Sequence, residues 1–225
     1  MEAITRHRGG HSVNGGHGAP VVILVHGLWF GAWSLGLLAR RLRKAGFEPR
    51  RFRYRTTRSG LEGHARALRQ FIDSGSYPAL HIVAHSLGGL VTLKMLADDG
   101  DLPPGRVVLL GSPLQGSVVA RKAATLPGGS RLLGTVRSEL AAGFTRLASG
   151  RDIGMIAGAR SFGLGLLLGG LGEPGDGTVA VMETRAEGMR EHRVLPVTHT
   201  GMLFSSAVVR EVVCFLRRGN FIPSP

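Results

Sequence analysis

A chain of 225 residues is long enough for one domain with a real core, and 43% apolar residues with 35 glycines suit a globular protein with many tight turns. The formal charge of +13, from 28 basic and 15 acidic residues, favours anionic partners such as acidic substrates or membrane surfaces. No nucleic-acid-binding motif accompanies that charge, so nucleic acid is not expected as a partner, and a solvated arginine-rich surface accounts for it equally well.

Residues 1–19 are polar and rich in glycine and histidine, and read as a flexible leader. They contain no apolar stretch of the kind that directs secretion, so the expected location is cytoplasmic. Residues 20–225 read as a single domain. Val21 to Val25 is a continuous apolar run bounded by Pro20 and Gly27, as in the centre of a parallel sheet with both faces covered. Helical periodicity through Trp33, Leu37, Leu38 and Leu42 follows, stopped by Gly46. Glu48 to Tyr54 predicts a second strand and residues 62–74 a second helix.

Ala79 to Ala84 is again apolar and partly β-branched, and it stops at His85-Ser86. A helical pattern in Val91, Leu93, Met95 and Leu96 begins after Leu87-Gly88-Gly89. That predicts a strand, a one-residue turn and a helix with a serine at the apex. The turn requires small neighbours, here Ala84, Gly88 and Gly89, because strand and helix pass closely. Ser86 as a simple helix cap is the alternative. Arg106 to Leu110 predicts a further buried strand ending in Gly111-Ser112-Pro113, and residues 114–150 show only weak helical patterns. Ile153 to Gly158 predicts a strand, Arg193 to Val197 the last strand, and Leu203 to Arg218 an amphipathic helix. Ile153 to Leu171 comes nearest to a membrane span, but Arg160 and its glycines spoil it. The single cysteine, Cys214, lies in the last helix and excludes an internal disulfide or a multi-cysteine zinc site. Strands alternating with helices give the expected class: α/β, with a mainly parallel sheet of about six strands flanked by helices.

In such a sheet functional residues collect at the carboxyl ends of strands. Those ends carry His26-Gly27-Leu28, Ser86, Ser112-Pro113, Asp176 and His199, so a serine, an acid and a histidine occur in the order Ser86, Asp176, His199. A serine hydroxyl needs a base to take its proton, a base needs a carboxylate to hold its tautomer, and a tetrahedral oxyanion needs preorganised N–H donors. His199 and Asp176 fill the first two roles, and the backbone N–H groups of Leu28 and Leu87 the third. Asp176, in Pro-Gly-Asp-Gly, also reads as a turn residue. Asp152 and His192 compete for acid and base but fall at the amino ends of their strands. His85 is expected to point away from Ser86 by strand alternation. His26, Trp29, Phe30 and Leu167 are the candidate substrate contacts, although His26 reads more as a brace for its loop. Leu167 belongs to Ser161–Gly172, which reads either as a mobile apolar wall for an acyl chain or as core. The stretch Arg40 to Arg58 holds nine basic residues and suggests peripheral contact with an anionic membrane.

On these residues the chain resembles the α/β-hydrolase superfamily, and more narrowly the small bacterial lipases and esterases, over roughly residues 20–218. Val25-His26-Gly27-Leu28 resembles their oxyanion loop, residues 84–89 (AHSLGG) their nucleophile elbow, residues 176–181 (DGTVAV) their acid-bearing segment and residues 198–202 (THTGM) their histidine loop. Residues 111–117 (GSPLQGS) are similar to a lipase loop, but Leu114 replaces its histidine. The resemblance implies hydrolysis of a small-molecule or lipid acyl ester through an acyl-serine intermediate, without cofactor or metal, and the short chain leaves room for a small lid at most. A thioesterase or amidase on the same machinery, and a non-catalytic binding protein of this fold, are the alternatives.

Overall fold

The computed structural model describes residues 18–98, 101–144, 147, 150–162 and 174–223. The leader, apart from its last two residues, lies outside them. Six parallel strands form one sheet in the order β2-β1-β3-β4-β5-β6. They are β1 (Val21–Val25), β2 (Glu48–Phe52), β3 (Leu80–His85), β4 (Val107–Leu110), β5 (Ile153–Gly158) and β6 (Glu191–Leu195).

The continuous apolar runs of the central strands serve two cores at once. Val21, Ile23 and Val25 of β1 face one side together with Ile82, Ala84, Val107 and Leu109, whereas Val22 and Leu24 face the other with Val83, Val108 and Leu110. Helices α2 (Leu61–Asp73) and α3 (Leu87–Ala97) cover the first face. Helices α1 (Gly36–Lys44) and α7 (Ser206–Arg218) cover the second, through Leu38, Leu42, Val208, Val212 and Phe215. Burying runs of this kind is worth roughly 25 cal/mol per Å² of apolar surface, and every residue of β1, β3, β4 and β5 is buried.

β2 is an edge strand. Its arginines alternate sides: Arg50 meets Glu48 and the Tyr77 hydroxyl, and Arg51 donates to the Ala32 carbonyl. The strand ends at Phe52, so Arg53 and Tyr54 enter the following loop rather than extending it as expected. β6 begins two residues earlier than predicted, and pairing of Met155 with His192 puts that histidine inside the strand. The final helix starts at Ser206, capped by the Ser205 hydroxyl, which accepts from Val208 N–H. The weakly patterned segment after β4 is three short helices, α4 (Val118–Thr125), α5 (Gly129–Leu133) and α6 (Arg137–Ala142).

The sheet order reverses at β1, whose neighbours β2 and β3 lead away in opposite directions. The crevice that this leaves at the carboxyl ends of β1 and β3 holds the loop 26–31 and the turn at Ser86.

Candidate active site

Ser86 sits between β3 and α3 with φ 53° and ψ −123°, a conformation that an L-residue adopts only under constraint. The constraint is close packing. A Cβ at Gly88 would lie 2.6 Å from the Val25 carbonyl oxygen, and one at Gly89 would lie 2.6 Å from the Ser112 Cβ. Only glycine lets α3 descend this close to the sheet, and Ala84 is fully buried beside it. The sharp strand–turn–helix predicted from the sequence is therefore present.

Asp176 is almost wholly buried. Its Oδ1 accepts from the N–H groups of Thr178 (2.9 Å) and Val179 (2.7 Å), and its Oδ2 lies 2.7 Å from His199 Nδ1. The His199 N–H also donates to the Asp176 carbonyl (2.9 Å). Two backbone donors on one carboxylate oxygen leave the other for the imidazole, so Nδ1 carries the proton and Nε2 is left as the basic nitrogen. Gly111, at the end of β4 with φ 56°, makes room for this pair: a Cβ there would lie 2.9 Å from Asp176 Oδ2 and 3.2 Å from His199 Nδ1. In the sequence the only signal for this glycine is its place at the end of a predicted strand.

Ser86 and His199 line one cavity of about 460 Å³, together with Leu28, Trp29 and Phe30. Its apolar wall comes from Val119, Ala120 and Ala123 of α4, Leu133 of α5 and Leu140 of α6. This wall is not legible in the sequence, because short alanine-rich helices leave little periodic signal. Leu167, the expected residue for that role, lies outside the described residues; of that segment only Ser161 and Phe162 are described, and Phe162 lines the cavity. A larger hollow of about 940 Å³ lies at the opposite edge of the sheet, beside Phe47, His81 and Arg106, and contains none of these groups.

The Leu87 N–H belongs to the first residue of α3 and so has no partner within the helix. Leu28 enters the cavity from the loop after β1. The next residue, Trp29, has φ 61°, and its N–H meets Thr56 Oγ1 at 3.3 Å, which pins this loop to the one after β2.

Of two further histidines, His26 takes the bracing role rather than the substrate contact, and His85 departs from expectation. His26 does not line the cavity. It is buried, stacked on Tyr54 with ring centroids 4.5 Å apart, and its Nδ1 donates to the Gly27 carbonyl (3.0 Å). Burial pushes its pKa down, so it is a neutral brace rather than a substrate contact. His85 does line the cavity, contrary to the alternation argument. It does face the other side of the sheet, but the histidine loop crosses that side: the rings of His85 and His199 lie 4.6 Å apart, and His85 Nε2 donates to the His199 carbonyl at 3.1 Å. Burial pushes the His85 pKa well down, so the ring is neutral.

The competing pair is occupied elsewhere. Asp152 binds Arg106 (3.2 Å) and Arg190 (3.0 Å) at the amino edge. His192 Nε2 meets Thr184 Oγ1 at 2.8 Å, and burial lowers its pKa to about 4. Leu114, where similar loops carry histidine, is fully buried in the core. Among the described residues no group of three or more histidine, cysteine or acidic side chains could hold a metal ion.

Similar proteins agree with this architecture. No curated protein matches the chain by sequence. Among solved structures, the mature lipase BlEst2 of Bacillus licheniformis superposes with a TM-score of 0.71 at 17% identity, over 91% of this chain and 93% of that one. Phospholipase PlaB of Legionella pneumophila gives 0.65 at 17% identity, over 87% of this chain and 57% of that one. A putative aryl esterase of Burkholderia cenocepacia gives 0.59 at 17% identity, over 89% and 91%. At such identities these likenesses speak for the fold. The sequence profile described as "Alpha/beta hydrolase family" matches residues 22–212, and the chain belongs to that family.

Proposed function

We propose that the protein is a serine hydrolase of carboxylic esters, with Ser86 as nucleophile, His199 as base and Asp176 as its orienter. The observation that carries this reading is the shared cavity: a strained serine at the tip of a strand–helix turn opens into the same space as a histidine whose other nitrogen is held by a buried carboxylate. The lipase, phospholipase and esterase among the structural neighbours support it.

In this reading His199 Nε2 takes the Ser86 proton as Oγ attacks the ester carbonyl. The oxyanion that forms is met by the N–H groups of Leu28 and Leu87, and removing one such donor typically costs about 10²–10³ in rate. His199 then gives its proton to the departing alkoxide, which leaves an acyl-Ser86. Water, deprotonated by the same nitrogen, releases the acid and regenerates the hydroxyl. Asp176 holds the imidazole in place and stabilises the imidazolium. The apolar wall from α4 to α6 takes the acyl chain. Each buried methylene is worth roughly 0.8 kcal/mol, about fourfold in kcat/KM, so medium-length chains should exceed acetate. A non-catalytic binder of this fold would have no use for the Asp176–His199 pairing. The test is labelling with a fluorophosphonate probe. Wild type should label stoichiometrically and Ser86→Ala not at all, with nearly unchanged thermal stability; equal labelling of both would sink the assignment.

A further inference from the structure

We propose that the face around the cavity mouth is a docking surface for an anionic lipid bilayer, an inference that rests on the esterase reading and supplies its physical source of substrate. In a parallel sheet every loop at the carboxyl ends of the strands opens on one edge, so the charges on that edge can be read from its segments. Residues 26–35, 53–60, 111–117, 159–162, 174–184 and 196–205 carry Arg53, Arg55, Arg58 and Arg160, all exposed, and two carboxylates, Asp176 and Glu183, both buried; a third carboxylate, Glu139 of α6, reaches this edge and accepts from the Leu61 N–H. Glu183 is used up internally, accepting from Val118 N–H and Ala180 N–H. No carboxylate among the described residues pairs with those four arginines. The acids Asp73, Asp98, Asp101 and Asp152 lie at the opposite edge, at helix ends and strand starts.

The same face carries several of the large exposed apolar side chains. Trp33 and Phe162 are 73% and 75% exposed, and Trp29 and Phe204 about half. They belong together: Trp29 and Phe162 line the cavity, Trp33 stands 6.3 Å from Phe30 by ring centroids, and Phe204 follows the histidine loop, its carbonyl bound by Arg41 (2.7 Å). Both tryptophans of the chain are on this rim. Indole rings favour the boundary between headgroups and acyl chains, and arginines beside them are attracted by an anionic leaflet. Scattered apolar residues on a surface need no explanation, but a cluster beside arginines held in no ion pair, at the entrance to an apolar cavity, fits a negatively charged lipid surface.

The experiment uses the full chain with vesicles of phosphatidylcholine alone and of phosphatidylcholine with phosphatidylglycerol, read by sedimentation and by tryptophan emission. Binding to the anionic vesicles at low salt, a blue shift of the emission, and loss of both as salt rises are expected. Arg55→Glu/Arg58→Glu should weaken binding by at least about tenfold. Arg43→Glu/Lys44→Glu makes the same change in net charge at the far end of α1 and should weaken it much less. Equal losses in the two variants, equal binding to both vesicle types, or no binding at low salt would overturn the proposal. So would a blue shift that grows with protein concentration without lipid, which would make the face a contact between copies of this chain. Hydrolysis of a soluble p-nitrophenyl ester, measured in parallel, separates the two readings. An active enzyme that ignores vesicles defeats only the docking surface, and a vesicle-binding protein without activity defeats only the esterase.

Discussion

His85 shows how far a single side chain can matter without touching the reacting atoms. Its Nε2 is committed as donor to the His199 carbonyl, so its Nδ1 is a bare acceptor, and no partner meets that atom among the described residues. A Cβ on Gly27 would lie 3.0 Å from it, so the ring also spaces the loop after β1 from the histidine loop. His85→Phe keeps the shape and leaves the His199 carbonyl unpaired, at a cost of about 1–3 kcal/mol. We expect kcat to fall about tenfold or more with little change in KM, and the acidic limb of the kcat profile to move. His85→Gln, which can return a donor near the Nε2 position, should recover much of the loss; a variant equally impaired in stability but unchanged in pH profile would make His85 a packing residue only. Asp176→Asn is the sharper test of the pair. Asparagine retains an acceptor for Thr178 and Val179 but turns an amide donor on His199 Nδ1, which selects the wrong tautomer. kcat should drop by up to about 10⁴ with KM nearly constant, whereas Asp152→Asn should be near neutral in activity. The serine, acid and histidine positions were legible because each stands at a strand end and topology decides which edge is which. His85 and Gly111 were not, because their roles depend on a loop more than 80 residues away in sequence crossing above them.

At the scale of elements, the long hydrophobic runs and the two amphipathic helices, α2 and α7, could be read directly, within two or three residues at their ends. The misjudged boundaries have physical causes. The last helix was begun three residues too early because residues 201–204 form a tight single turn whose apolar Met202 and Leu203 continue the helical pattern into the core. The short helices α4 to α6 were hardly visible, since a helix of five to eight residues is held by tertiary packing rather than by its own propensity. Yet these three build the apolar wall. Two tethers hold α4 in place: the Ser117 hydroxyl accepts from Ala120 N–H, and the Glu183 carboxylate accepts from Val118 N–H. Glu183 also grips Ala180 in the acid-bearing loop, so the wall and the acid share one anchor. Because Ala120 faces the cavity, Ala120→Phe should fill it and shorten the preferred acyl chain, leaving acetate-ester hydrolysis within a few-fold of wild type. An unchanged chain-length profile would move the acyl site elsewhere.

Across the whole molecule the ionisable groups sort by depth. Surface carboxylates pair with arginines in exposed bridges worth little each, as between Arg66 and Glu62 or Arg69 and Asp73. Histidines, by contrast, are largely enclosed. Burial lowers the pKa of His26, His64, His81, His85 and His192, to about 4 for His81 and His192. The sign of the resulting pH dependence is fixed. An unfolded histidine takes up a proton near its ordinary value, about 6.5, whereas the folded one does not until lower pH. Between those values the unfolded state binds more protons, so stability is complete above about pH 6.5 and is lost as pH falls toward the folded values. Each fully shifted group contributes up to about 1.4 kcal/mol per pH unit in that window. For a group only partly buried, such as His192, solvent screening reduces it. Tm should therefore be flat from about pH 8 to 7 and fall steeply between about 6.5 and 5, before most carboxylates begin to titrate. His81 is the best probe of this cause, because it lies at the amino edge, far from the candidate active site. It accepts from the Arg106 N–H through Nδ1 (3.0 Å) and has Arg106 and Arg151 as cationic neighbours that also disfavour its protonation. His81→Gln should lower Tm at pH 7.5 yet reduce the loss between pH 6.5 and 5. A Tm profile for His81→Gln that runs parallel to wild type across that window would show that His81 contributes nothing to acid sensitivity.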